Sequence, residues 1–214
     1  MSRFFILLGG ELVHTPRIAV QAAGSRVIAA DSGIRHAEML GVTPELWVGD
    51  FDSVRADHAQ RYAGVPRRVF PSEKAMTDGE LAVAAALEAG ATSLVLAGAF
   101  GGPRSDHGFL HLALAMRLAE AGTQVLLTSG AQEGHPLLPG TTSFDYADGT
   151  LFSILAFSDL SGLSEAGAKW PLDRVEVPFG SSLTLSNEVK GSLRISLERG
   201  RAMLLAHPSP LPEH

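Results

Sequence analysis

Cysteine is absent from the 214 residues. That excludes disulfides, thiolate metal sites and a cysteine nucleophile, and it fits a cytoplasmic chain. Positive charge is scarce: 17 basic against 23 acidic side chains leave a net charge of −6. The protein as a whole therefore repels polyanions, and neither nucleic acid nor a membrane surface is expected as a partner. No apolar run approaches the roughly 18–20 residues needed to span a bilayer. The opening MSRFFILLGGEL is too short and too poorly flanked for a signal peptide, and its apolar run reads as a first strand. Internal repeats and low-complexity tracts are also missing. What remains is ordinary for a soluble globular protein with a real core: 45% hydrophobic and 19% charged residues, in one large domain or two small ones.

Two patterns divide the chain. Up to about residue 129, short apolar runs alternate with helical segments. Phe4–Leu8 ends in Gly9-Gly10, Val27–Ala30 in Asp31-Ser32-Gly33, and Leu46–Val48 in Gly49-Asp50. Ser93–Ala97 runs into GAFGGPRSDH, and Gln124–Leu127 is a fifth strand candidate. Helices are expected near 34–40, 54–63, 78–89 and 107–121. Continuous apolar strands separated by helices predict a mostly parallel, doubly wound sheet in an α/β domain. Thr77-Asp78-Gly79-Glu80 has the capping-box pattern, and the segment from His107 is apolar almost all round, so its burial is expected. From residue 130 to about 208, β-prone runs recur between turns: TSFDY, TLFSILAF, RVEVPF, SSLTLS, SLRISL and RAMLLA. These predict an all-β, sandwich-like second domain. The stretch TSGAQEGHPLLPG reads as a linker, and the proline-rich end, 209–214, as a frayed tail.

In an open parallel sheet, ligands bind beyond the carboxyl ends of the strands. Asp31 follows the second strand and Asp50 and Asp52 the third. Asp78 opens a helix, and Asp106 and His107 follow the fourth strand. Parallel strands would gather these acids on one sheet edge. Clustered carboxylates repel unless something positive sits among them. Without cysteine or a His-x-x-His-like spacing, all-oxygen ligation points to magnesium, which favours one or two carboxylates together with waters and substrate phosphates. Lys74, Arg104 and the glycine-rich run before a helix supply an anion with positive groups and backbone N–H donors. Taken singly, Asp78 also reads as a helix-dipole partner, Asp106 as an N-cap and Asp31-Ser32-Gly33 as a turn.

Together the motifs resemble the thiamine pyrophosphokinase (thiamine diphosphokinase) family. They are ADSG at 30–33, GDFDS at 49–53, a K…TD segment at 74–78, GGPRSDH at 101–107, GL…KW at 162–170 and SNE at 186–188. The resemblance implies transfer of a pyrophosphoryl group from ATP to the thiamine hydroxyl, giving thiamine diphosphate and AMP. It also implies a homodimer with the thiamine site near the subunit interface. Carried over, it puts magnesium on Asp50, Asp52 and Asp78. ATP falls to Asp31, Ser32, Lys74, Thr77, Gly101, Gly102, Arg104, Asp106 and His107, and thiamine to Trp170, Ser186 and Asn187. Catalytic roles fall on Asp50, Asp52, Asp78 and Asp106, with Asp78 or Asp106 as the base. Three positions depart from the pattern: Ala75 where an acid often follows the lysine, Pro103 as an apparent insertion, and His111 where asparagine is common.

Three rivals remain at this stage. DFDSV also satisfies the Asp-x-Asp pattern of aspartyl-phosphate phosphatases, which would make Asp50 a nucleophile. That motif normally sits on a first strand, and it leaves residues 130–206 without a role. A pterin alcohol as acceptor is the second rival, and a non-catalytic nucleotide sensor the third.

Overall fold

The structure, a computed structural model, describes residues 2–209 except Ser53, Ser72, Lys74 and Pro103. By their internal contacts they fall into two units: residues up to Leu114 with Gly122–Gly130, and Ala115–Ala121 with the chain from Ala131 onward.

The first unit runs β1 (Arg3–Leu7), α1 (Pro16–Ala22), β2 (Arg26–Ala30), a 3₁₀ turn (Asp31–Arg35), α2 (His36–Met39), β3 (Leu46–Gly49), α3 (Ala56–Arg61), β4 (Arg67–Val69), α4 (Asp78–Glu88), β5 (Ser93–Ala97), α5 (Ser105–Glu120, of which the part from Ala115 belongs to the second unit) and β6 (Gln124–Thr128). All five strand pairings are parallel, in the order β6-β5-β1-β2-β3-β4. The order reverses between β1 and β5. In a doubly wound sheet such a switch opens a crevice beyond the strand ends.

Phe5, Ile18, Trp47 and Val95 belong to one buried cluster of this unit. A fully buried phenylalanine of this kind stabilises by about 1.5–3 kcal/mol. Helix α4 starts as its sequence dictates. Thr77 Oγ1 accepts from Glu80 N at 3.2 Å and Glu80 Oε2 accepts from Thr77 N at 3.1 Å. Helix α5 is buried from His111 onward in part, but its first turn is open and Phe109 is 67% exposed. The expected all-round burial therefore holds only for the second half. Among the described residues no helix is long and apolar enough to cross a membrane.

The second unit carries β7 (Glu133–Leu137), β8 (Gly140–Phe144), β9 (Leu151–Ala156), β10 (Leu160–Ala168), β11 (Leu172–Val177), β12 (Asn187–Leu197) and β13 (Ala202–His207). Every pairing is antiparallel. One row is β8 and β10 on β12 with β11 beyond, and the other is β7-β13-β9 with β12. Leu163, Val189, Phe152 and Leu204 close a core of their own.

Two sequence expectations change here. The glycine- and proline-bearing linker contains β7, whose five residues pair with β13. SSLTLS is a chain of turns and not a strand. Thr184 Oγ1 donates to Ile154 O at 2.6 Å, which buries the threonine and turns Leu183 and Leu185 outward, 57% and 43% exposed.

Candidate active site

A cleft of about 680 Å³ lies at the switch point of the first unit. Leu8, Gly9 and Gly10 come to it from the end of β1, Asp31 and Ser32 from β2, and Asp50 from β3. Thr77 and Asp78 come from the start of α4, and Gly101, Gly102, Arg104 and His107 from the β5–α5 connection. Nine residues predicted from sequence thus line one cavity. Asp52 and Asp106 do not, and Lys74 lies outside the described residues.

Two backbone distortions aim the acids. Asp31 has φ 42° and Phe51 φ 62°, both left-handed without being glycine, a conformation that costs about 1–2 kcal/mol. Trp47, wholly buried in β3, holds each of them. Its Nε1 donates to Asp31 O at 2.9 Å, and its ring meets the Phe51 ring edge-on at 5.0 Å. Arg67 lies over both rings, at 4.8 and 5.2 Å. Phe51 is thus fixed on the core side of the Asp50-Phe51-Asp52 turn. Asp52 N donates to Asp50 Oδ1 at 3.3 Å, which tightens the turn. Gly49 packs directly against Asp31. A Cβ there would lie 3.3 Å from Asp31 Oδ1, so the missing side chain makes room for a carboxylate.

Burial pushes the Asp31 carboxyl above its ordinary range, and the charges of Asp78, Asp50 and Asp52 push it further. The four acids therefore share one field. Asp31 Oδ1 is buried without a hydrogen-bond partner among the described residues. Also among those residues, no group of three or more His, Asp and Glu side chains is close enough to enclose a metal alone. Such a cluster suits a cation completed by substrate oxygens and waters.

Asp106 is set differently. Arg104 donates to both its oxygens, at 2.9 and 2.6 Å, and holds its carboxyl down to about 2. A carboxylate so engaged orients Arg104 and is a weak base.

Other lining residues gave no signal in the sequence. Arg35 Nη2 donates to Gly9 O and Gly10 O at 2.6 and 3.0 Å. His36, which does not itself line the cleft, donates through Nε2 to Gly10 O at 3.0 Å. His111, noted only as a departure, donates through Nδ1 to Ala99 O at 3.0 Å, and burial favours its neutral form.

In the second unit Trp170, Ser186 and Asn187 come together. Trp170 is 57% exposed, and Lys169 Nζ lies 4.9 Å from its ring centroid, so this indole already faces a cation. Ser186 has φ 60° and donates its N–H to Ser153 Oγ at 3.0 Å. Asn187 is buried and wholly engaged. Its Oδ1 accepts from Trp170 N and Glu188 N at 3.2 and 2.9 Å, and its Nδ2 donates to Trp170 O and Glu165 Oε2, both at 2.8 Å. It shapes the Trp170 turn from behind.

Glu165 was missed altogether, because a glutamate in SGLSEAG reads as solvent-facing. It is 1% exposed, and burial raises its carboxyl from 4.5 to about 7. The neutral form is favoured on folding, so stability is complete below pH 4.5 and falls as pH rises toward 7. The difference corresponds to about 3 kcal/mol. Urea unfolding at pH 5 and pH 8 should show Glu165→Gln gaining on the wild type at pH 8. Equal pH dependence would contradict this.

Family comparison matches two descriptions: "Thiamin pyrophosphokinase, catalytic domain" over residues 20–127 and "Thiamin pyrophosphokinase, vitamin B1 binding domain" over 142–201. The chain is 28% identical over 166 residues to a thiamine pyrophosphokinase of Bacillus subtilis, covering 76% of this chain and 77% of that one. Among solved structures, one of thiamine pyrophosphokinase from Bacillus subtilis superposes with a TM-score of 0.85 at 25% identity, covering 96% of this chain and 99% of that one. Another, of thiamin pyrophosphokinase from Geobacillus thermodenitrificans, gives 0.80 at 27% identity, with 97% of both chains covered. These matches lend no support to the phosphatase or pterin-alcohol readings.

Proposed function

We infer the reaction and its residues from one premise: the chain belongs to the thiamin pyrophosphokinase family. It is an ATP-dependent thiamine diphosphokinase, transferring the pyrophosphoryl group of ATP to the thiamine hydroxyl to give thiamine diphosphate and AMP. The observation that carries the residue-level reading is the field shared by Asp31, Asp50, Asp52 and Asp78 at the edge of the cleft.

ATP brings about four negative charges to these acids, so a cation must stand between them. The unpartnered Asp31 Oδ1 and the Asp50 carboxylate at the cleft wall fit magnesium, with Asp52 and Asp78 completing the set. Magnesium, when bound, supplies charge neutralisation of the phosphate oxygens. The remaining work falls to the chain. Gly101, Gly102 and the start of α5 offer backbone N–H groups to phosphate. Arg104, oriented by Asp106, neutralises charge that develops as AMP leaves. With Asp106 engaged by Arg104, Asp78, which lines the cleft, is left to orient the attacking hydroxyl.

Residues 1–129 form the catalytic domain, and residues 130–208 bind thiamine and dimerise. The exposed Phe179, Leu183 and Leu185 support a homodimer, since apolar side chains this open favour burial. The cytoplasm is the expected compartment. The indole of Trp170 takes the thiamine cation, with an attraction of about 1–2 kcal/mol when desolvated. Calorimetry should show Trp170→Ala binding thiamine about tenfold more weakly, and unchanged affinity would refute the stacking role. The reaction is tested by incubating the chain with ATP, magnesium and thiamine. AMP formed only with thiamine present supports it. ADP, free phosphate alone, or thiamine-independent turnover contradicts it.

A further inference from the structure

The thiamine subsite contains a buried carboxylate that the scheme above does not use. Glu165 Oε2 accepts one hydrogen bond, from Asn187, and Oε1 is buried with no partner among the described residues. A carboxyl buried with half its acceptor capacity unmet costs stability. Packing alone therefore does not explain a glutamate on β10. Its effect on Asn187 does. An amide has one donor end and one acceptor end. The main chain of Trp170 needs both: its N–H donates to Oδ1 and its carbonyl accepts from Nδ2. A flipped amide would set NH₂ against the N–H groups of Trp170 and Glu188. The carboxylate claims the second N–H of Nδ2 and so fixes the amide the right way round.

We propose that Glu165 is a positioning residue for thiamine, acting through Asn187 to hold the Trp170 main chain and so present the exposed indole to the cationic ring. This rests on the reading of Trp170 and Asn187 as the thiamine site. The hydrogen bond is strongest when the carboxyl is ionised, and a bound cation favours that form. Thiamine affinity therefore rises with pH through about 7, where the group titrates. The strand partners directly opposite it, Leu172 on β11 and Ile195 on β12, are uncharged. The charged side chains on those strands are Asp173, Arg174, Glu176, Glu188, Lys190, Arg194.

The test measures KM for thiamine and for ATP between pH 6 and 8, in the wild type, Glu165→Ala and Glu165→Gln. Binding is followed by fluorescence of Trp170, the exposed one of two tryptophans. Glu165→Ala should raise the thiamine KM about tenfold, with the ATP KM and kcat within about twofold. Glu165→Gln keeps an acceptor, so its KM should stay within about threefold of wild type while its pH dependence flattens. An unchanged thiamine KM in Glu165→Ala overturns the proposal, as does an equal rise in both KM values. If Glu165→Ala does not fold, Glu165→Gln decides: retention of the wild-type pH profile overturns the proposal, and flattening supports it. A wild type that neither binds nor uses thiamine overturns the parent reading and this inference with it. A thiamine-active wild type with an indifferent Glu165→Ala overturns this inference alone.

Discussion

Asp50→Asn is expected to lower kcat by about 10²–10³-fold, with the fold intact. The side chain is only partly buried at the cleft wall, and among the described residues it accepts from the N–H of Asp52. Asparagine keeps the size and an acceptor oxygen, so the Asp50-Phe51-Asp52 turn survives. The buried rings of Trp47 and Phe51 that pin the turn are untouched. What is lost is one negative charge among four, and with it much of the attraction for the cation that accompanies ATP. Steady-state kinetics with a melting curve checks this. Near-normal turnover would remove Asp50 from the site.

Gly10→Ala should damage stability and catalysis together. A Cβ at Gly10 would stand 2.3 Å from Gly98 O and 2.6 Å from Phe100 O. Both are backbone atoms and cannot swing aside. Gly10 also ties the two loops of the switch point: its N–H donates to Gly98 O at 3.0 Å, and its carbonyl accepts from Arg35 and His36. The methyl group therefore forces the β1 and β5 loops apart. Overpacking of this kind costs about 1–3 kcal/mol, and a shift of an ångström at the phosphate site lowers kcat/KM for ATP by about 10²-fold. Thermal unfolding and ATP kinetics measure the two effects. A Gly10→Ala enzyme with wild-type melting and kinetics would contradict the crevice geometry.

The first unit was legible because its signals are local. Apolar runs ending in glycine and acid gave five of its six strands, and the capping box gave α4. The parallel-sheet rule then placed Asp31, Asp50 and Asp78 on one edge. Strand β4 escaped because Arg67–Val69 is short and exposed. Helix α1 escaped because it is seven residues long, although Thr15-Pro16 marks its start and Thr15 Oγ1 accepts from Ile18 N. The second unit was harder, since its strands depend on partners far along the chain. Gly134 and Pro136 disguised β7. Gly162 and Gly167, both at positive φ, bend β10 and hid it. In SSLTLS the alternation pointed inward with the leucines, but Thr184 won the interior by bonding to Ile154. Glu165 could not be read at all, because its burial follows from that unforeseen strand. Asp106 was read as one of the acid group, and only the geometry shows it bound to Arg104.

The central claim is that Asp31, Asp50, Asp52 and Asp78 hold the cation that brings ATP to the cleft. Manganese, a paramagnetic substitute for magnesium, tests it directly. Its binding is read by electron paramagnetic resonance in the presence of AMP and thiamine diphosphate or a non-hydrolysable ATP analogue. The account predicts that wild-type protein takes up the ion with the nucleotide and that Asp50→Asn, still folded, loses it by about tenfold or more in affinity. Equal uptake by the two proteins would contradict the claim.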